Sequence, residues 1–200
     1  MAITVEMIKQ LREATGAGVM DCRNALEQSN ESMEHALGYL REKGMAAAAK
    51  RAERPVLQGK VEMYSHGSGR VGVMVEVNTE TDFASRSSAF RGFAHEIALQ
   101  IAAAAPLYVR EADIPADVIE QHAQKAAADA RAEGKAEAII PRIVEGTLRK
   151  FKDQTVLLRQ TYIRDEKITV EQLLHQTVAS VGENIVISRF VRWELGDSVE

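Results

Sequence analysis

Apolar residues recur every three or four positions through residues 4–44 of the chain. The first such run, residues 5–11, predicts a helix capped by Thr4. Residues 15–18 interrupt the pattern with two glycines, and two further amphipathic segments follow before Gly44. The spacing therefore predicts a module of three short helices. Its core is small, so packing against a neighbour or partner would stabilise it.

The middle of the chain changes from helical to alternating spacing. Residues 45–54 are rich in alanine and charged side chains, which predicts a helical linker that ends at Pro55. Apolar and polar residues then alternate over residues 56–64 and 70–78, on either side of a short stretch rich in glycine and serine. Because alternation is typical of half-buried strands, these segments predict an antiparallel β-hairpin.

Helical spacing returns after the hairpin. An apolar stripe that stops before Pro106 predicts one helix, and residues 114–134 and 136–153 predict two more that pair as a helical hairpin. Pro141 cannot donate a helical hydrogen bond. The second helix of this pair is therefore expected to begin near Ile140 or to bend there.

The last part of the chain returns to strands. We predict a strand over residues 154–163, a helix over residues 170–181 capped by Thr169, and a closing strand over residues 185–195. Helical module, hairpin, long helices and closing strand together predict the α+β class, with an antiparallel sheet flanked by helices.

The turn between the second predicted strand and the next helix carries Thr81, Asp82 and Phe83. The residues alone leave two interpretations open. In one, Thr81 or Asp82 caps the helix and Phe83 closes the core, and the spacing favours this interpretation. In the other, an acid and an exposed ring insert into a partner. The acid then competes for a metal or phosphate ligand, and the ring separates packed side chains.

Composition narrows the class of protein. The net charge of −4 argues against general nucleic-acid binding, which a basic excess usually accompanies. Cys22 is the only cysteine, so no intrachain disulfide forms, and its neighbours indicate a small buried side chain rather than a reactive thiol. No apolar run approaches the roughly 20 residues of a membrane helix, and the N-terminus lacks a secretory pattern. We expect a cytoplasmic protein that does not bind membranes.

The chemistry-bearing residues do not form a catalytic pattern. The five histidines are scattered, and none stands near a serine or cysteine motif for nucleophilic catalysis. The acidic residues lie mostly on predicted helix surfaces, where solvation accounts for them. We therefore expect neither an enzyme nor a bound metal or cofactor.

Three blocks of sequence carry a resemblance to a known family. Residues 76–83 read EVNTETDF, residues 11–26 read LREATGAGVMDCRNAL, and residues 182–195 read GENIVISRFVRWEL. In the same order, these are similar to the signatures of the elongation factor Ts family, the bacterial and organellar nucleotide exchange factors for elongation factor Tu. The resemblance implies a translation elongation factor that binds elongation factor Tu with GDP, promotes GDP release and allows GTP to rebind.

The resemblance also implies two sites for elongation factor Tu. An exchange turn that dislodges Mg²⁺ from the partner would consist of Thr81, Asp82, Phe83 and Ala84. A docking patch would consist of Arg12, Gly18, Val19 and Met20. The N-terminal module is similar to the ubiquitin-associated three-helix fold, in which the loop after the first helix often meets the partner. On the residues alone, it is an even choice whether Val19 and Met20 face outward or begin the second helix facing inward.

Three residues depart from the family signatures. Ala84 stands where valine is usual, Thr79 where serine or cysteine is usual, and Arg23 where lysine is usual. The smaller Ala84 would give less support behind Phe83. These departures therefore bear on the exchange rate more than on identity.

The length of the chain bears on its domain organisation and oligomeric state. At 200 residues the chain has room for only one of the two related core halves found in longer family members. We expect residues 1–54 to form the docking module with its linker, and residues 55–200 to form the core. The short length implies a homodimer joined through the strands around residues 185–193, and a 2:2 complex with elongation factor Tu. The alternative is a non-catalytic adaptor whose helical module tethers partners without speeding GDP release.

Overall fold

A computed structural model describes residues 3–197, except for the side chain of Ala47. The outer limits of the two predicted domains, residues 1 and 200, lie outside this range. The elements in chain order are α1 (Val5–Thr15), α2 (Val19–Gln28), α3 (Met33–Arg51), β1 (Gln58–His66), β2 (Val71–Thr79), α4 (Asp82–Ser85), α5 (Ser88–Ala104), α6 (Ala116–Ala132), α7 (Ile140–Thr155), β3 (Thr161–Tyr162), β4 (Asp165–Thr169), α8 (Val170–Val181) and β5 (Ile185–Glu194). Helices combine with antiparallel sheets, so the α+β class is confirmed.

The chain folds into two compact units. One unit contains the residues up to Ala102 together with those from Glu171 onwards, and the other contains Ala103–Val170. The first unit therefore holds the helical module and the sheet of β1, β2 and β5, and the second holds the pair α6 and α7. The predicted division between residues 54 and 55 stays a prediction.

Two of the first three helices, α1 and α3, begin at a polar side-chain cap. Thr4 caps α1 and Ser32 caps α3, and each hydroxyl accepts a hydrogen bond from a backbone N–H three residues further on. Gly16, at φ 67°, ends α1 in the left-handed conformation that glycine adopts most readily. The three helices enclose a cluster of buried residues: Leu11, Cys22, Ala25, Leu26, Ala36 and Leu40. Burial raises the pKa of the Cys22 thiol, so this side chain acts as a small apolar group.

The third helix is longer than predicted. We expected a helix ending at Gly44 and a separate linker helix over residues 45–54, but α3 runs unbroken from Met33 to Arg51. A Cβ added at Gly44 would lie 3.6 Å from the Cβ of Ala179 on α8. Gly44 therefore marks a close approach between two helices rather than a helix end. The alanine-rich sequence after it offsets the roughly 1 kcal/mol by which a glycine weakens a helix interior.

The sheet in the first unit has the order β1-β2-β5, and both strand pairs are antiparallel. The two strands of the predicted hairpin begin and end one or two residues later than expected. The buried residues of β2 alternate along the strand: Val71, Val73, Val75, Val77 and Thr79. Helix α5 covers this inner face and buries Phe90 and Ile97 completely. Its His95 also lies 3.2 Å from the carboxylate of Glu62 on β1.

The other face of this sheet also carries many apolar residues. Its exposed apolar members, here called the outer face, are Val61, Met63, Met74, Val191 and Trp193, which are 41–72% exposed. The ion pair between Glu76 and Arg189 lies on the same side of the sheet. On β1 the usual alternation is reversed, because Glu62 is turned towards α5 and its neighbours on the strand, Val61 and Met63, are turned away. Sheet faces that meet water are ordinarily polar. The outer face therefore has the composition of a surface that becomes buried against another one.

The second unit is built on the antiparallel pair α6 and α7. Helix α7 begins at Ile140, so Pro141 lies in its first turn, where its missing N–H is not needed. Of the two expectations for Pro141, the later helix start is confirmed. His122 of α6 stacks on Phe151 of α7, with the ring centroids 4.0 Å apart. The predicted helical hairpin is therefore present.

The strand predicted over residues 154–163 was wrong for most of its length. Helix α7 continues to Thr155, a single 3-10 turn follows at Leu157–Arg159, and only Thr161–Tyr162 pairs with β4. The side-chain amide of the buried Gln160 donates to the carbonyl of Gln154 at 2.8 Å. A side chain thus satisfies backbone groups that a strand ladder would otherwise pair.

Candidate functional site

Thr81 connects the end of β2 to the single helical turn α4. Its backbone is extended, and its Oγ1 accepts a hydrogen bond from the N–H of Ala84 at 3.2 Å. Thr81 is therefore the N-cap of α4, as one of the two interpretations expected. Ser85 closes the turn, since its hydroxyl donates to the carbonyl of Asp82 at 2.7 Å.

Phe83 does not close the core, which was the other half of that interpretation. Its side chain is 86% exposed, whereas Ala84 beside it is 8% exposed. Phe90, at the start of α5, takes the core position instead and is fully buried. The turn thus holds an aromatic ring in solvent, where it contributes little to the fold and is free to be buried by a partner.

Asp82 stands beside this ring with its carboxylate exposed. Its Oδ2 lies 2.9 Å from a guanidinium nitrogen of Arg86, and the two side chains are 58% and 79% exposed. An exposed ion pair of this spacing contributes only about 0.3–0.5 kcal/mol. A partner group that binds the Asp82 carboxylate more strongly can therefore replace Arg86 in this ion pair.

Glu183, just before β5, holds the exchange turn from beside the end of β2, the strand that pairs with β5. Its Oε2 accepts from the N–H of Thr81 at 2.9 Å and from the hydroxyl of Thr79 at 3.2 Å, and its Oε1 accepts from the hydroxyl of Thr81 at 2.7 Å. Burial raises the pKa of Glu183, but the hydrogen bonds from Thr81 and Thr79 outweigh it and hold that pKa below its usual value. The carboxylate is therefore charged at neutral pH. Sequence reasoning missed Glu183, because its role depends on contacts between segments far apart in the chain.

The residues of the predicted docking patch are all exposed and lie near the junction of α1 and α2. Arg12 is in the last turn of α1, and Gly18 is the N-cap of α2. Val19 and Met20 begin α2 but face outward, at 52% and 63% exposed. The inward orientation is therefore wrong, and the structure brings these apolar side chains together at one surface. Their binding of a partner stays a prediction.

The remaining titratable side chains among residues 3–197 do not form a metal site. Within residues 3–197, no group of three or more His, Cys, Asp or Glu side chains is placed to hold a metal ion. His66 contacts Tyr64 at 3.0 Å, and His95 contacts Glu62. None of the helices in the described part of the chain has both the length and the apolar character to cross a membrane.

Comparison with known proteins identifies the family. The family model described as elongation factor Ts matches residues 3–197. The chain belongs to the elongation factor Ts family. It is 51% identical over 197 residues to elongation factor Ts of Carboxydothermus hydrogenoformans, a match that covers 98% of this chain and 91% of the relative. It is 52% identical over 198 residues to elongation factor Ts of Caldanaerobacter subterraneus subsp. tengcongensis, with 99% of both chains covered.

A third relative is more distant in identity but equally well covered. Elongation factor Ts of Geobacter metallireducens is 49% identical over 199 residues, which is 100% of this chain and 92% of the relative. This member of the elongation factor Ts family is therefore close to these relatives in length. Membership makes it a translation elongation factor of protein biosynthesis.

Proposed function

We propose that the chain binds elongation factor Tu carrying GDP and speeds GDP release by inserting the exchange turn beside the Mg²⁺ ion of that partner. The observation that carries this proposal is Phe83, 86% exposed on a turn whose backbone and cap are hydrogen-bonded. A turn whose backbone is already held by hydrogen bonds loses little conformational entropy when a partner buries its side chain.

Asp82 and Phe83 have different tasks in this mechanism. The carboxylate of Asp82 disturbs the helix and the water shell that support the Mg²⁺ ion, and the ring of Phe83 separates apolar side chains of the partner. Loss of the ion removes the main charge that neutralises the diphosphate of GDP. GDP then leaves, and GTP rebinds and releases the exchange factor. No covalent bond forms or breaks on this chain, so the protein acts as an exchange factor rather than an enzyme.

The energetics require the docking patch as well as the exchange turn. Thermodynamic linkage means that the factor and GDP weaken each other's binding to elongation factor Tu by the same ratio. A ~1000-fold weakening corresponds to about 4 kcal/mol. Burial of one phenylalanine side chain supplies about 1.5–3 kcal/mol, so Phe83 alone is insufficient. Val19 and Met20 are suited to supply docking affinity, which holds the factor on its partner while the exchange turn inserts, since both are exposed apolar side chains.

A homodimer is part of the same proposal. The outer face exposes Met63 and Trp193 at 72% and 71%, and β5 lies at an edge of its sheet. Both an apolar sheet face and an open strand edge favour association, and a second copy of the chain offers the same surface for an isologous contact. Two subunits would each present one exchange turn, giving a 2:2 complex with elongation factor Tu.

The test is the release of a fluorescent GDP analogue from purified elongation factor Tu. The wild-type chain should accelerate release, and Asp82→Ala/Phe83→Ala should still bind but accelerate it at least about tenfold less. Leu107→Ala is a matched control, because it also removes an exposed apolar side chain, 64% exposed, outside both predicted sites. Binding by the wild-type chain without faster release would contradict the exchange function and favour the adaptor.

A further inference from the structure

Residues 180–184, which comprise the last two residues of α8 and the three that precede β5, contact three separate parts of the first unit. We call this segment the brace. At one end, the hydroxyl of Ser180 donates to the carbonyl of Gly16, in the loop that leads to the docking patch, at 3.1 Å. At the other end, Glu183 holds Thr81, and Asn184 reaches the end of α3. One short segment thus touches both predicted partner-binding regions.

The contact between the brace and residues 79–81 is reciprocal. Glu183 accepts hydrogen bonds from Thr81 and Thr79, and the N–H of Asn184 in turn donates to the carboxylate of Glu80 at 2.6 Å. Each segment therefore supplies both a carboxylate and donors to the other. Charge-assisted hydrogen bonds are stronger than neutral ones, so this arrangement holds the two segments in one geometry.

Asn184 extends the network to the helical module. Its side chain is 4% exposed, and its Nδ2 donates to the carbonyls of Ala52 and Arg54 at 3.3 Å and 2.9 Å. These two carbonyls follow the end of α3, where the helix leaves them without helical partners. The module that carries the docking patch is thereby fastened to the same segment as the exchange turn.

Glu183 determines how Thr81 is oriented. The hydroxyl of Thr81 donates its single proton to Glu183 at 2.7 Å, which leaves its lone pairs for the N–H of Ala84. This N-cap contact starts α4, and α4 points Phe83 into solvent while Ala84 packs inward. Without Glu183, the hydroxyl and the N–H of Thr81 would both turn to water, and the start of α4 would lose its fixed direction.

We propose that Glu183 is a positioning residue for nucleotide exchange: through Thr81 it fixes the direction of Phe83, and the brace sets the exchange turn relative to the docking patch. This inference rests on the proposed exchange function. It separates two properties of the protein. Docking depends on the exposed side chains of α1 and α2, whereas the maximum rate of GDP release depends on a correctly presented Phe83.

The variant that tests this is Glu183→Gln, which keeps the side chain's size but removes its charge and part of its acceptor capacity. Its matched control is Glu171→Gln on α8, because the exposed carboxylate of Glu171 has no hydrogen bond or ion pair to any residue between 3 and 197. GDP release is measured against the concentration of the factor. We expect the maximum rate with Glu183→Gln to fall roughly tenfold, while the half-saturating concentration changes by less than about twofold.

Hydrogen exchange supplies a readout that a general loss of structure would not give. In Glu183→Gln the backbone amides of Thr81 and Ala84 should exchange faster, whereas the amides of α1 and α2 should keep their wild-type protection. Thr81→Val offers a second route if Glu183→Gln does not fold, since Thr81 is exposed. It should lower the maximum rate in the same way, and Thr81→Ser, which keeps the hydroxyl, should lower it less.

Two results would overturn the inference. In one, Glu183→Gln and Thr81→Val keep a maximum rate equal to that of Glu171→Gln. In the other, they raise the half-saturating concentration and leave the maximum rate unchanged, which would place Glu183 in docking. Failure of the wild-type chain itself to speed GDP release would instead refute the exchange function, and the positioning role would fall with it.

Discussion

Phe83 and Phe90 lie close together in the sequence and in opposite environments, one 86% exposed and the other fully buried. Both belong to the stretch that follows β2, and both are aromatic residues beside a helix start. The cap at Thr81 begins a short helix, α4, before the longer α5, so the two rings belong to different helices. The same residue type therefore lies at the surface in α4 and in the core in α5.

This contrast predicts opposite effects on stability. Phe83→Ala should change the free energy of unfolding by no more than about 0.5 kcal/mol, since it removes a solvent-exposed ring. Phe90→Ala should lower it by about 3–5 kcal/mol, because it leaves a cavity between α5 and the sheet. Urea unfolding followed by circular dichroism measures both. A loss above about 1 kcal/mol for Phe83→Ala would mean that the ring packs against the protein after all.

The docking patch predicts a change in affinity without a change in maximum rate. Val19→Ser/Met20→Ser removes two side chains that are 52% and 63% exposed, so the fold should be kept. The half-saturating concentration in the GDP-release assay should rise at least about tenfold, because apolar contact with elongation factor Tu is lost. The maximum rate should stay close to wild type.

Met45→Ser is the matched control for this experiment. Met45 is 47% exposed and lies on α3 of the same module, outside the predicted patch. It should leave both kinetic parameters near their wild-type values. An equal rise in the half-saturating concentration for Met45→Ser would show that the patch is not specific, and a lower maximum rate for Val19→Ser/Met20→Ser would contradict its assignment to docking.

Local signals in the sequence predicted much of the fold. The cap at Thr4, the alternation along β2 and the position of Pro141 each depend on neighbouring residues only, and each has its expected consequence in the structure. Gly44 shows where local reasoning failed. Helix propensity treats a glycine as a stop, whereas contact with α8 makes it part of a continuous helix.

In the candidate site, too, some features could be predicted from the sequence and others could not. The resemblance to a family pointed to residues 81–84, and Thr81 could be recognised as a cap from its position. The exposure of Phe83 could not be predicted from its position, because an aromatic residue near a helix start lies in the core as readily as at the surface. Glu183 was missed because its partners, Thr79 and Thr81, are distant in sequence and meet it only when β2 and β5 pair.

Glu183 also predicts a pH dependence of stability. Its pKa in the folded protein lies below its usual value, so it stabilises the fold above the unfolded pKa of about 4.3, and this contribution is lost as pH falls through the lower folded value. The wild-type chain should therefore exceed Glu183→Gln in free energy of unfolding at pH 7, and the difference should shrink below about pH 4.3.

Denaturant unfolding of the two proteins at pH 7, 5 and 4 measures this difference. The difference should be the same at pH 7 and pH 5 and smaller at pH 4. A difference that stays constant down to pH 4, or that grows there, would contradict a lowered pKa for Glu183. Glu171→Gln again serves as control.

The outer face predicts the oligomeric state. If two copies meet through this face, each subunit buries its own Trp193 and Met63 in the isologous contact. Trp193→Arg, or Met63→Glu as a second variant, then places charge in an apolar contact twice per dimer and should weaken association at least about a hundredfold. Both side chains are more than two-thirds exposed in the single chain, so folding should be unaffected.

Sedimentation velocity measures this association, and it should give a dimer for wild type and a monomer for both variants. Leu107→Arg, an equally drastic change at a position off the sheet, should stay dimeric. A wild-type monomer at micromolar concentration, or a dimer unaffected by both substitutions, would exclude the outer face as the contact between subunits.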